Sequence, residues 1–127
     1  MCRQIAGLDD LARIFFPDNG NHRRAFVALW IEVKYADDQF LPSRFDLCGQ
    51  YKLSQRTVEV VRAKLKKMGI LKRISHFNPA HGNLSGWTFS DRFIGAVSAL
   101  VDAMRVFRAP PDRPQDRLRD QQAFLFL

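Results

Sequence analysis

Apolar residues recur along this chain at helical spacing, broken once by a stretch of strand-like texture. Between Ile5 and Phe16, the residues Ile5, Leu8, Leu11, Ala12 and Phe15 fall three and four apart, ahead of Pro17 and the turn-prone Asp18-Asn19-Gly20-Asn21. That predicts a short amphipathic helix ended by a loop. A second helix is expected from about His22 to Ala36, with Phe26, Leu29, Trp30 and Val33 on one face and Asn21 in position to cap it. Pro42 then precedes Ser43-Arg44-Phe45-Asp46, a capping-box spacing in which Ser43 and Asp46 satisfy each other's backbone donors. A third, short helix should follow to about Gly49.

The stretch from Leu53 to Arg73 predicts a fourth helix. Ser54 is a good N-cap, Val58, Val61, Leu65 and Met68 form an inward stripe, and Gly69 is placed to end the helix. At about 100° per residue, Arg56, Glu59, Val60, Ala63 and Lys67 then point outward, Gln55 and Lys66 flank them, and Lys64 lies to the other side. Ile70 to Phe77 has strand character, Asn78 to Gly86 is rich in turn residues, and Trp87-Thr88-Phe89 again favours a strand. Two antiparallel strands joined by a loop are the simplest outcome.

The last third carries the most regular heptad-like pattern. Phe93, Val97, Leu100, Met104 and Phe107 form one stripe, widened by Ile94 and Val101. Such a face is committed to packing, either on the first helix or on its mate in a second subunit, and the dimer is the favoured expectation. Beyond Phe107 the sequence RAPPDRPQDRLRDQQ reads as a linker without a core, and the apolar residues Phe124 to Leu127 are expected to dock on this domain, a second copy or a partner. The expected organisation is one domain over residues 1–107, with a core at 22–90 and a packing or dimerisation helix at 91–107, followed by linker and tail at 108–127.

Composition sharpens this picture. With 127 residues, 46 % of them hydrophobic and 26 % charged, the chain can bury one continuous core. Cys2 and Cys48 have no metal-ligand spacing, no apolar run approaches the ~20 residues of a membrane span, and the N-terminus lacks a signal-peptide pattern. A cytoplasmic protein with no membrane partner is expected. The histidines His22, His76 and His81 are dispersed, and there is no glycine-rich phosphate loop, HExxH or paired CxxC motif, so neither an enzyme nor a metal or cofactor is expected.

The formal net charge is +7, and its position matters more than its size. Arg44 to Arg73 contains nine lysines and arginines against Asp46 and Glu59, so this stretch alone carries the whole excess. Charge gathered this way suits a face that meets a polyanion.

Three helices followed by a hairpin make a winged helix, and the residues from Leu47 to Arg73 resemble the winged helix-turn-helix superfamily. The resemblance lies in Leu47-Cys48, Leu53-Ser54, Thr57-Val58, Leu65 and Gly69-Ile70-Leu71. Upstream, Arg24 to Ser43 is similar to the entry helix of such domains in phage and plasmid replication proteins and bacterial regulators. The resemblance covers residues 22 to 90. Arg62 occupies what is usually a core leucine position, so it must snorkel or meet an acid such as Asp46 or Glu59. The family's turn glycine is replaced by Lys52.

The expected fold is therefore mainly α with a small β-hairpin (α+β), a winged helix-turn-helix with extra N- and C-terminal helices. The resemblance implies binding to double-stranded DNA. Arg56 is the candidate for guanine, Gln55 for adenine or phosphate and Glu59 for cytosine, while Val60 and Ala63 permit close approach to base edges. Ser54 and Thr57 stand at the helix start beside them. Lys52, Lys66, Lys67, Lys72 and Arg73 are candidate phosphate clamps, and the wing residues His76, Asn78, His81 and Asn83 would lie over the adjacent backbone or minor groove. Phe93, Val97, Leu100, Val101, Met104 and Phe107 would form the homodimer contact. The implied role is a small transcriptional regulator without cofactor; the alternatives are a replication module of a mobile element and a protein-docking winged helix.

Overall fold

The computed structural model describes residues 4–78 and 82–127, without the side chains of His76, Asn78 and Asn83. The chain divides into two compact units, Met1–Ile94 and Gly95–Leu127. The first contains α1 (Leu8–Phe15), α2 (Gly20–Tyr35), β1 (Leu41–Pro42), α3 (Leu47–Tyr51), α4 (Gln55–Met68), β2 (Leu71–Asn78) and β3 (Gly82–Phe89). A fifth helix, α5 (Arg92–Arg108), starts there and continues into the second unit, which also holds α6 (Gln115–Phe124). The described residues are mainly helical with one small antiparallel sheet of strand order β1-β3-β2, an α+β architecture. No helix among them is long and apolar enough to cross a membrane.

Local chemistry sets the helix starts. In α1 the Asp10 carboxylate accepts from the amides of Ala6 and Gly7 at 3.1 and 3.4 Å. The cap of α2 is Asn19 and not Asn21: Asn19 is extended, its side chain accepts from the His22 amide at 3.1 Å, and the helix already runs through Asn21. Along α2, Ala25, Phe26, Ala28, Leu29 and Val33 are buried, which puts this helix at the centre of the unit. Its alanines leave room for α1 and α4 on either side.

The expected capping box between Ser43 and Asp46 does not form. The Ser43 amide donates to Ser85 O at 2.9 Å and its hydroxyl accepts from Ser85 Oγ at 3.2 Å, so the donor that Asp46 was to serve is already taken by the sheet. Asp46 instead caps α3 alone, accepting from the Gly49 amide at 2.9 Å. The neighbouring strand β1 pairs Leu41 with Trp87 and Pro42 with Gly86. Gly86 is required there: a Cβ would sit 2.5 Å from Leu41 O and 2.5 Å from the Phe40 ring.

Between α3 and α4 the chain turns at Lys52, which adopts the left-handed conformation (φ 54°, ψ 49°) and so stands where a glycine would be unstrained. Tyr51 closes α3 onto α2 by donating its hydroxyl to Glu32 Oε1 at 2.7 Å. Ser54 caps α4, and Val58, Val61 and Leu65 are buried with Met68 half-buried, the register expected from the sequence. Gly69 ends the helix at φ 88°, its amide bonded to Leu65 O and Lys66 O.

Phe26, Leu29, Val33, Val61, Leu65 and Leu71 are fully buried and form the centre of the core. Each contributes about 1.5–3 kcal/mol by leaving water. A run of half-buried rings extends it: Phe15 lies 5.5 Å from Phe93, and Trp30 4.8 Å from Phe89.

The second unit departs from expectation. Part of the supposed linker is helical: Pro114 stands just before α6, Asp116 accepts from the amides of Asp112 and Arg113 at 3.2 and 3.3 Å, and Leu, Arg, Gln and Ala favour helix beyond them. Neither α5 nor α6 has a buried residue. Within the predicted stripe Phe93 is half-buried in the first unit against Phe15, whereas Val97, Leu100, Val101, Met104 and Phe107 are exposed. The tail Phe124 to Leu127 is exposed as well.

Candidate functional site

The outward face of α4 presents Gln55, Arg56, Glu59, Val60, Ala63 and Lys67, all exposed. Their roles separate once partners are considered. Ser54 and Thr57 are occupied with the helix start: Ser54 Oγ accepts from the Thr57 amide at 3.1 Å and donates to Thr57 Oγ1 at 2.7 Å. Gln55 donates to Glu59 Oε1 at 3.2 Å, one turn along the same face, so Glu59 pairs with Gln55 and with neither Arg56 nor Arg62. Arg56 makes no hydrogen bond or ion pair among the described residues, leaving its five N–H donors for a ligand. Val60 is 44 % exposed, and with Ala63 it keeps the middle of the face low.

Two cations of the basic stretch are engaged elsewhere. Arg62 lies with its guanidinium 5.0 Å from the centre of the Trp87 ring, which accounts for a charged residue at a core-edge position without any acid. Lys64 donates to Phe15 O at 2.6 Å and lies 4.3 Å from the Phe16 ring centre, tying the end of α1 to α4. Periodicity places Lys64 on the far side of the helix, but its partner 49 residues away has no local signal.

Four further cations of the stretch, Lys66, Lys67, Lys72 and Arg73, gather where α4 ends. A groove of about 600 Å³ is walled by Ala63, Lys66, Lys67, Leu71, Lys72, Arg73, Ser90 and Arg92. No carboxylate lines it, and Lys66, Lys67, Lys72 and Arg73 have no ion pair among the described residues. Arg73 reaches Ser85 Oγ at 3.5 Å, and it stands opposite Trp87 in the strand register. Unpaired side chains of one sign side by side repel one another, so the groove carries a positive potential that favours an anion.

Arg92 was not singled out by its sequence context. Its guanidinium donates to Lys66 O and Lys67 O, both at 2.9 Å, covering the negative end of α4. The Phe93 amide donates to Gly69 O at 3.0 Å beside it. A C-cap glycine announces free carbonyls but not the residue that will satisfy them.

Lys52 is exposed in the turn before α4, at the near end of the same face. His81 falls outside the described residues, as do the side chains of His76 and Asn78, so the predicted wing contacts belong to that undescribed part. Among the described residues no group of three or more His, Cys, Asp or Glu could hold a metal ion.

No family model matches the chain. It is similar to part of soluble starch synthase 2-1, chloroplastic/amyloplastic, of Oryza sativa subsp. japonica, with 29 % identity over 122 residues and 87 % of this chain aligned. The chain spans 16 % of that protein's length.

Proposed function

We propose that the chain is a winged helix-turn-helix protein that binds double-stranded DNA sequence-specifically, with α4 as its recognition helix, acting as a small transcriptional regulator. The observation that carries this reading is the continuity of two surfaces. The outward face of α4, with unpaired Arg56 and the low Val60 and Ala63, runs directly into a groove whose charged walls are all basic. The order α2, α3, α4, then the hairpin β2–β3, supports the fold assignment.

In this reading Arg56 contacts a base edge, and Lys66, Lys67, Lys72 and Arg73 hold phosphates. The protein acts as a homodimer through the exposed stripe Val97, Leu100, Val101 and Met104 of α5, and it works in the cytoplasm without cofactor. Two recognition helices then address adjacent half-sites.

Selection from a randomised duplex library at two salt concentrations tests the proposal. A pseudo-palindromic motif with half-sites about one helical turn apart is expected. Arg56→Ala should cost about 1–3 kcal/mol on the selected site and relax one base position, whereas Lys67→Ala should weaken all sequences alike and reduce the salt slope by about one. Leu100→Asp should abolish the dimer mass in light scattering. No retention at low salt refutes DNA binding and moves the function to a protein-docking module; retention without any motif removes the sequence-specific part.

A further inference from the structure

Among α1, α2, β3 and the first residues of α5 lies a cavity of about 420 Å³ that the DNA-binding reading does not use. Its walls include the half-buried rings of Phe15, Trp30, Phe89 and Phe93, and its polar lining includes Gln39 and Asp91. The volume lies within the ~300–1,000 Å³ of small-molecule sites, and aromatic walls with few polar groups are their usual lining.

The charge of its lining narrows the occupant. Although the chain carries a net charge of +7, among the described residues no lysine or arginine lines this cavity, and Asp91 is the one charged residue in its wall, without an ion pair. At its edge Asp38 and Gln39 both take left-handed φ values, 56° and 52°, and the Gln39 side-chain amide donates to Lys34 O at 3.4 Å.

We propose that this cavity is a binding site for a flat aromatic molecule bearing a positive charge, its rings against Trp30 and the phenylalanines and its cationic group toward Asp91. The aromatic faces attract a cation and the carboxylate neutralises it, while an anion of the same shape finds no cation in the lining to pair with. The site stands independently of DNA binding.

The test is amide-shift mapping on the full chain with two probes of matched shape, 2-naphthylmethylammonium and 2-naphthylacetate. The cation should bind saturably, shift the Trp30 indole and the amides of Phe89 and Phe93, and bind at least fivefold more tightly than the anion. Asp91→Asn should remove most of that preference, and Ile94→Trp, at an exposed position in the wall, should block both probes. Equal binding of the two probes, shifts elsewhere, or no saturable binding overturns the proposal. So do concentration-dependent shifts of the same residues without probe, matched by shifts of Phe124 to Leu127, since the cavity would then be taken by the tail of a second copy. If Ile94→Trp fails to fold, the charge preference and its loss in Asp91→Asn decide alone.

Discussion

Replacing Gly69 by alanine probes the joint between α4 and α5. At φ 88° a Cβ is strained in itself, by about 1–2 kcal/mol, partly offset by the ~0.4–1 kcal/mol that alanine gains through a less flexible unfolded chain. The added Cβ would also lie 2.5 Å from Arg92 Nε, 3.0 Å from Arg92 Cβ and 3.2 Å from the Phe93 amide nitrogen. Arg92 must then move, weakening its two hydrogen bonds at 2.9 Å to Lys66 O and Lys67 O. Both bonds are exposed, so each is taken at the low end, about 0.5 kcal/mol. The net expectation is a loss of about 2 kcal/mol, read from urea unfolding. Arg92→Ala removes the guanidinium and its bonds in advance, so in that background Gly69→Ala should cost only about 1 kcal/mol, a coupling near 1 kcal/mol in the double-mutant cycle. A loss below about 0.5 kcal/mol for the single variant, or additivity within about 0.3 kcal/mol, would refute the joint as described.

Tyr51→Phe should destabilise by about 0.5–1 kcal/mol at neutral pH through the lost bond to Glu32. That bond, then burial and the Glu32 charge, raise the Tyr51 pKa above the usual 10.0, so the stabilisation is complete below pH 10 and disappears as pH climbs through the raised value; urea midpoints of the two proteins should converge there. Lys52→Gly relieves a left-handed residue at the end of α3 and should leave the protein about 0.5 kcal/mol more stable than Lys52→Ala in chemical denaturation; the reverse order would contradict the strain. Lys64→Met keeps the aliphatic stem but removes the ammonium from Phe15 O and the Phe16 ring, and should cost about 1 kcal/mol with faster hydrogen exchange confined to α1; uniform exchange would place the tether elsewhere.

What could be read from the chain alone divides along the range of the interactions. The register of α4, its Ser54 cap and its Gly69 stop depend on residues within a turn of one another, and all three stand in the structure where the spacing puts them. The Ser43–Asp46 box had the same local logic and failed, because Ser43 is claimed by Ser85, 42 residues away. Arg62, Lys64 and Arg92 were readable as charges but not as contacts, since Trp87, Phe15 and the Lys66 and Lys67 carbonyls become neighbours only in the folded unit. Helix α6 escaped because three prolines and many charges in residues 110–120 outweigh a favourable stretch that begins just after Pro114.

These contacts also change what the charge of the Arg44–Arg73 stretch means. Arg62 and Lys64 flank Ala63 in sequence, yet the fold turns one onto a tryptophan of the sheet and the other onto the end of α1. Both remain positive, but the Arg62 guanidinium lies over Trp87 and the Lys64 ammonium is bonded to Phe15 O, away from the outward face. The outward face left behind carries Arg56 and Lys67 toward its ends and the short Val60 and Ala63 between them, with Glu59 held by Gln55 at its side. In the proposed DNA-binding reading this arrangement has a use: the ends of the helix hold the phosphate backbone on either side while the methyl groups come within contact of the groove floor. In that reading the intramolecular engagement of Arg62 and Lys64 also helps, since a long cation projecting outward beside Ala63 would hold the helix away from the DNA.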